Sequence, residues 1–146
     1  MLNFLKAGAI LIAVSSMICV DVCSAKNNIV DISRMGVFTA AVLRNQKPVV
    51  VYFTKTSCHQ CRNILKDLED IARANDEDMY LARVDLDEYP TLRNEFGIIN
   101  IPTTRTYFNG KLLREVRGPL SGGIRAITNI AIKEGKEAAA AKKQKQ

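Results

Sequence analysis

The chain has 146 residues, 47% of them hydrophobic and 25% charged, with a formal net charge of +6. That is room for one domain with an ordinary apolar core, and no internal repeat or second domain is visible in it. Much of the positive charge gathers at Lys133, Lys136, Lys142, Lys143 and Lys145, beside a run of alanines, which reads as a solvated end rather than a nucleic-acid or lipid site.

Residues 1–25 read as an export signal. Lys6 is the positive region, 7–20 the apolar stretch, and Cys23-Ser24-Ala25 places small residues where a signal peptidase would read. The stretch is shorter than the ~18 residues of a membrane span, although an uncleaved anchor is the alternative. Cys19 and Cys23 leave with the signal, so the mature chain keeps Cys58 and Cys61 alone. Export also places that pair where a disulfide can persist. A bacterial periplasm is the first expectation for location, and eukaryotic secretion the second.

Residues 27–32 form a short first strand. Met35, Phe38, Ala41 and Val42 share one helical face, so 33–45 reads as a helix with Ser33 as cap, ended by Gln46-Lys47-Pro48. Residues 49–53 are a continuous β-branched and aromatic run, expected of a strand covered on both faces. A helix follows from Cys58, with Ile64, Leu65, Leu68, Ile71 and Ala72 as its buried stripe. After a polar loop at 75–78, Ala82, Val84 and Leu86 alternate with Arg83, Asp85 and Asp87, which predicts a strand over 81–87 with one more polar face. Residues 89–96 read as a short helix with Pro90 in its first turn and Gly97 ending it. Two strands, 103–108 and 111–117, are joined by Asn109-Gly110, a dipeptide that accepts positive φ and favours a tight hairpin. Residues 118–123 form a turn, and Ile124, Ile127 and Ala131 mark a last helix. The domain is expected over 26–134, with 135–146 as a basic, disordered tail. The order β-α-β-α-β-α-β-β-α implies an α/β fold: a central mixed β-sheet, parallel early and antiparallel at the late hairpin, with helices on both faces.

The most informative motif is Cys58-His59-Gln60-Cys61, set between the second strand and the second helix. Thiols at i and i+3 on a first helical turn lie on one face, close enough to form a disulfide. The first also sits at the positive end of the helix, where a thiolate is favoured. A disulfide closing so short a loop removes little chain entropy, so reversible exchange is the better reading than a permanent staple. Two cysteines and a neighbouring histidine fall short of the four ligands of structural zinc. Haem attachment would need histidine where Arg62 stands.

With the strand, the Cys-x-x-Cys, the helix and Ile101-Pro102-Thr103 fifteen residues after Asp87, the chain resembles the thioredoxin family over nearly all of the processed region. Tyr107-Phe108-Asn109-Gly110-Lys111 and Gly118-Pro119-Leu120-Ser121 add to the likeness. The resemblance implies a thioredoxin-like fold and a cis peptide before Pro102, with that proline beside the cysteines. It also implies an Ile101 backbone that pairs with a bound substrate segment. There are departures: Tyr52 stands where many members carry a buried Asp, Ser57 and Thr54 replace tryptophans, the intervening dipeptide is His-Gln, and Arg105 enters a strand that is usually apolar.

The expected chemistry makes Cys58 the exposed nucleophile and Cys61 the more buried resolving thiol, with Lys55, His59 and Arg62 adding positive potential. A protonated His59 would favour the Cys58 thiolate; alternatively its ring faces water. Tyr52 reads as core packing, and Arg83 and Arg105 as pairing with acidic groups or reaching the surface. The expected function is thiol–disulfide oxidoreductase, with Cys58 and Cys61 catalytic and Ile101, Pro102, His59 and Gln60 at the substrate. The cofactor expectation is none beyond the redox-active disulfide, with no metal. Expected partners are proteins with thiols or disulfides and a redox donor or acceptor protein, membrane-bound in a periplasm, with no nucleic acid; the chain is expected to be a monomer. The alternative is a non-catalytic binding module on the same scaffold.

Overall fold

A computed structural model of the protein describes residues 27–145. The expected export segment, with Cys19 and Cys23, lies outside the described residues. The elements run β1 (Ile29–Asp31), α1 (Met35–Phe38), continuing as a π-helical turn (Thr39–Leu43), β2 (Val49–Thr54), α2 (His59–Ala74), β3 (Tyr80–Asp85), α3 (Thr91–Glu95), β4 (Thr103–Phe108), β5 (Lys111–Arg117) and α4 (Ser121–Lys143). One five-stranded sheet has the order β1-β3-β2-β4-β5. β1, β3 and β2 are parallel, and β4 and β5 join antiparallel. This is the mixed sheet expected from the element order.

β2 is central, and every one of its residues is buried, which is why it reads as an unbroken apolar run. Its alternate side chains feed two cores. Val49, Val51 and Phe53 pack with Phe38 and Val42 of the first helix and Leu92 of α3. Val50 and Tyr52 pack with Leu68 and Ala72 of α2 and Ile124, Ala131 and Ile132 of α4. The hairpin between β4 and β5 turns at Asn109 and Gly110, whose φ angles of 50° and 76° are the positive values a tight hairpin needs.

Several boundaries differ from expectation. The first helix starts at Met35 with Arg34 at its N-cap, and Ser33 does not cap it. From Thr39 it widens, the Arg44 N–H donating to the Thr39 carbonyl at 3.1 Å. Strand β3 ends at Asp85, short of Asp87. Pro90 caps α3 rather than sitting in its first turn.

The largest correction concerns the C-terminal segment. Residues 135–143 continue α4 instead of forming a disordered tail. Alanine and lysine are strong helix formers, so the run propagates a helix that is already packed. It is also held from outside: Gly135 lies flush on the Asp78 carbonyl, where a Cβ would collide. The Lys136 ammonium stands 3.9 Å from the Asp78 carboxylate, and Lys142 donates to the Gln46 side-chain oxygen at 3.1 Å.

Candidate active site

The parallel pairing of β2 with β3 runs to Thr54 opposite Asp85, so both strands deliver their C-terminal ends to one place. The chain leaves β2, turns through Lys55, Thr56 and Ser57, and enters α2. Cys58 is the N-cap of that helix rather than its first residue. Its sulfur accepts from the Cys61 N–H at 3.3 Å, satisfying one of the donors left open at a helix start. Cys58 and Cys61 are joined as a disulfide with their Cα atoms 5.3 Å apart. Cys58 is partly exposed, while Cys61 is fully buried. The accessible sulfur is therefore the one at the N-terminus of a sixteen-residue helix, where the backbone dipoles favour negative charge.

Beneath the pair lies Tyr52. Its side chain is fully buried, and its hydroxyl donates to the Cys61 carbonyl at 3.2 Å. Burial pushes its hydroxyl well above the usual tyrosine range, so it stays protonated at neutral pH and acts as a donor, not a base. The phenol thus belongs to the core, as the sequence suggests, but its tip is anchored on the backbone of the second cysteine.

On the other side of β2, the pairing of Phe53 with Thr103 places the next residue, Pro102, beside the end of β2. The Ile101–Pro102 peptide is cis. The Pro102 carbonyl accepts from Gly118 N–H at 2.7 Å, and the Thr103 hydroxyl donates to the Asn100 carbonyl at 2.7 Å. This bracing brings two segments together. Pro102 is buried and Ile101 half-buried, while Ile99 and Leu120, at 72% and 61% exposure, carry apolar side chains into solvent. These exposed apolar groups flank the two segments that the Gly118–Pro102 bond joins, and offer a contact surface. His59 and Gln60 are exposed on the first turn of α2.

Asp85 and Asp87, which sequence reasoning did not place at the site, meet the loop that precedes Cys58. The Ser57 N–H and hydroxyl both donate to Asp87, at 2.9 and 2.7 Å, and Lys55 stands 3.5 Å from the same carboxylate. These bonds, from the Ser57 hydroxyl first and then its N–H, hold the Asp87 carboxyl below the usual carboxylate range. The Thr56 hydroxyl hydrogen-bonds Asp85, and Arg62 donates to the Thr56 carbonyl at 2.9 Å. Lys55 and Arg62, read from sequence as sources of positive potential, thus pair with the Asp87 carboxylate and with the loop backbone respectively. The signal was present in the alternation Arg83, Asp85, Asp87: the first two lie on β3 and the third in the turn that follows it, beside the end of β2.

The two arginines without an assigned role have structural ones. Arg83 donates to Asp31 on β1 at 2.7 and 2.6 Å and to Glu69 on α2 at 2.6 Å, tying three elements together. Arg105 bonds Glu115 on β5 at 2.6 Å and the Phe96 carbonyl at 3.0 Å, and lies over the Phe53 ring.

With this geometry in place, comparison with known proteins is direct. The thioredoxin family model matches residues 29–129. The thioredoxin of Griffithsia pacifica is 33% identical over 81 residues, spanning 56% of this chain and 74% of that protein. The thioredoxin of Mycobacterium tuberculosis is 32% identical over 81 residues, spanning 56% and 70%. Among solved structures, the thioredoxin of Malassezia sympodialis superposes with a TM-score of 0.63 at 27% identity, covering 71% of this chain and 90% of that one. Mitochondrial thioredoxin 3 of Saccharomyces cerevisiae, at 21% identity and a TM-score of 0.60, covers 70% and 95% and shares the fold. A matched stretch that begins at β1, contains the disulfide-bonded Cys-x-x-Cys at the head of α2 and reaches well into α4 leaves one conclusion: the chain belongs to the thioredoxin family.

Proposed function

We propose that the protein is a thiol–disulfide oxidoreductase acting on protein substrates through Cys58 and Cys61. The observation that carries the reading is the asymmetry of the pair: a partly exposed sulfur capping a long helix, bonded to a fully buried one three residues on. In the reducing direction, the Cys58 thiolate attacks one sulfur of a substrate disulfide. A Cys58–substrate disulfide forms, the substrate S–S bond breaks, and the departing thiolate takes a proton. Cys61, as thiolate, then attacks Cys58, closing the Cys58–Cys61 disulfide and releasing the second substrate thiolate. Two electrons pass from the dithiol to the substrate, and the reverse steps oxidise a dithiol. No organic cofactor or metal is called for, because the electrons reside in the sulfur pair.

The substrate segment lies along Ile101 and Pro102, against the apolar side chains of Ile99 and Leu120, with His59 and Gln60 at the opposite lip. Its partners are proteins with accessible disulfides or thiols and a separate protein that restores the dithiol, membrane-bound if the compartment is a periplasm. The work is done outside the cytosol as a monomer, the apolar 7–20 stretch serving as export signal.

Replacing Cys61 with Ser removes the resolving thiol. The variant is expected to accumulate mixed disulfides on Cys58, detected as adducts released by reductant, and the wild-type pair is expected to titrate reversibly against glutathione. Partners retained without any covalent capture, together with a pair that never opens or never closes, would make the protein a binding module instead.

A further inference from the structure

We propose that Asp87 is a positioning residue for Cys58: its carboxylate holds the 55–57 loop through Ser57, and its negative charge keeps the Cys58 thiol less acidic than the helix N-terminus alone would make it. The proposal rests on the exchange reading above and adds what tunes it.

Three donors converge on this one carboxylate, all from the short loop between β2 and Cys58: the Ser57 N–H, the Ser57 hydroxyl and the Lys55 ammonium. Ser57 is bonded directly to Cys58, so the position of the nucleophile follows that of its neighbour. Asp87 is itself fixed, its N–H donating to Asp85 at 2.8 Å, while Asp85 takes the Thr56 hydroxyl. Two successive residues of the loop are thus each held by a carboxylate thirty or so positions away in sequence. A loop of three polar residues has no apolar side chain to pack, so hydrogen bonds order it: these, with Arg62 on the Thr56 carbonyl and the Cys58 N–H on the Lys55 carbonyl.

The charges around Cys58 can be counted element by element. The loop and the start of α2 bring Lys55, His59 and Arg62; the end of β3 brings Asp85, and the turn after it Asp87. The remaining side, 118–124 together with 100–104, contains no ionisable side chain. Among these groups, the negative charge that offsets the helix dipole at Cys58 comes from Asp85 and Asp87. Charge-assisted bonds of this kind also raise the cost of releasing the loop. The Ser57 bond plus one residue of chain puts the carboxylate at most about 9 Å from the sulfur, and across a solvated loop its charge is worth about a third of a unit of thiol pKa.

Three variants test this. Asp87→Asn keeps an oxygen that accepts from Ser57 but loses the charge; Asp87→Ala loses both; Ser57→Ala keeps the charge and the backbone bond but loses the hydroxyl. Each is reduced, and the pH dependence of Cys58 alkylation by iodoacetamide is measured in the full chain, with thermal unfolding as a check on folding. In Asp87→Asn the thiol pKa is expected to fall by about a third of a unit, roughly twofold more thiolate below the pKa. The glutathione-titrated potential should rise by at most about 10 mV, the same twofold at 29.6 mV per decade. In Asp87→Ala the limiting alkylation rate above the thiol pKa is expected to drop several-fold relative to Asp87→Asn. An unchanged or raised Cys58 pKa in Asp87→Asn overturns the charge role, and equal limiting rates in all proteins overturn the holding role. Alkylation needs only a reduced thiol, so it decides the proposal even if the wild-type pair fails to titrate reversibly, a result that would count against the exchange reading alone.

Discussion

The two faces of the sheet solve different problems. On the face covered by α1 and α3, four aromatic rings interlock: Phe38 meets Phe96 at 4.6 Å and Tyr107 at 5.4 Å, and Phe53 meets Phe96 at 5.0 Å, all edge to face. On the face covered by α2 and α4, the core is threaded with polar tips. Tyr52 reaches the Cys61 carbonyl, Thr128 donates to the Ile124 carbonyl at 2.8 Å, and the buried Asn28 donates to the Ala72 and Met79 carbonyls at 2.7 and 3.1 Å. The buried hydroxyls of Thr104 and Thr106 project to this same side, paired across from Tyr52 and Val50. One face supplies stability through packed area. The other couples packing to the cysteines, because the helix bearing them lies on it.

Substituting one residue on each face should separate these roles. Phe38→Ala removes a buried ring that touches two others, and a loss of about 3–5 kcal/mol is expected in denaturant unfolding. The glutathione-titrated potential of the pair should stay at the wild-type value; a shifted potential would mean that the aromatic face also governs the cysteines. Tyr52→Phe keeps the ring and deletes one buried hydrogen bond, so about 0.5–1.5 kcal/mol is expected. This smaller loss should be accompanied by a measurable change in the potential, since the lost donor sits on the Cys61 carbonyl. If only stability moves, the polar face is no more connected to the site than the aromatic one.

The smallest effect is a pH dependence at the rim of the aromatic face. Bonds from Arg105, and then from Arg117, hold the Glu115 carboxyl below its ordinary value of 4.5 despite some burial. A depressed folded-state pKa adds stability that is complete above the unfolded value and disappears as pH falls through the folded one. Arg105→Gln is therefore expected to flatten the decline in Tm below about pH 4.5, while leaving the neutral-pH potential unchanged. A decline as steep as in the wild type would assign the acid sensitivity to other carboxylates.

Much of this was legible in the chain itself. The all-buried β2 announces itself as an apolar run, the stripe from Ile64 to Ala72 as an amphipathic helix, and Asn109-Gly110 as a hairpin. The cysteine spacing already implies a redox pair at a helix start. The segment from 135 is not legible in this way, because alanine and lysine describe a solvated end as well as a helix, and contacts distant in sequence, Gly135 and Lys136 with Asp78 and Lys142 with Gln46, distinguish them.

What the sequence determined alone are the features set by neighbours along the chain: periodicity, turn chemistry and the Cys-x-x-Cys. Which side chain meets which across the sheet was decided by strand register. Nothing local pairs Ser57 with Asp87, Tyr52 with the Cys61 carbonyl, or Arg105 with Glu115. Those contacts exist because parallel pairing brings the ends of β2 and β3 together, α2 folds back over the sheet, and β5 returns antiparallel along β4. Hydrogen bonds and charges act over a few ångströms of space, regardless of how many residues separate the partners.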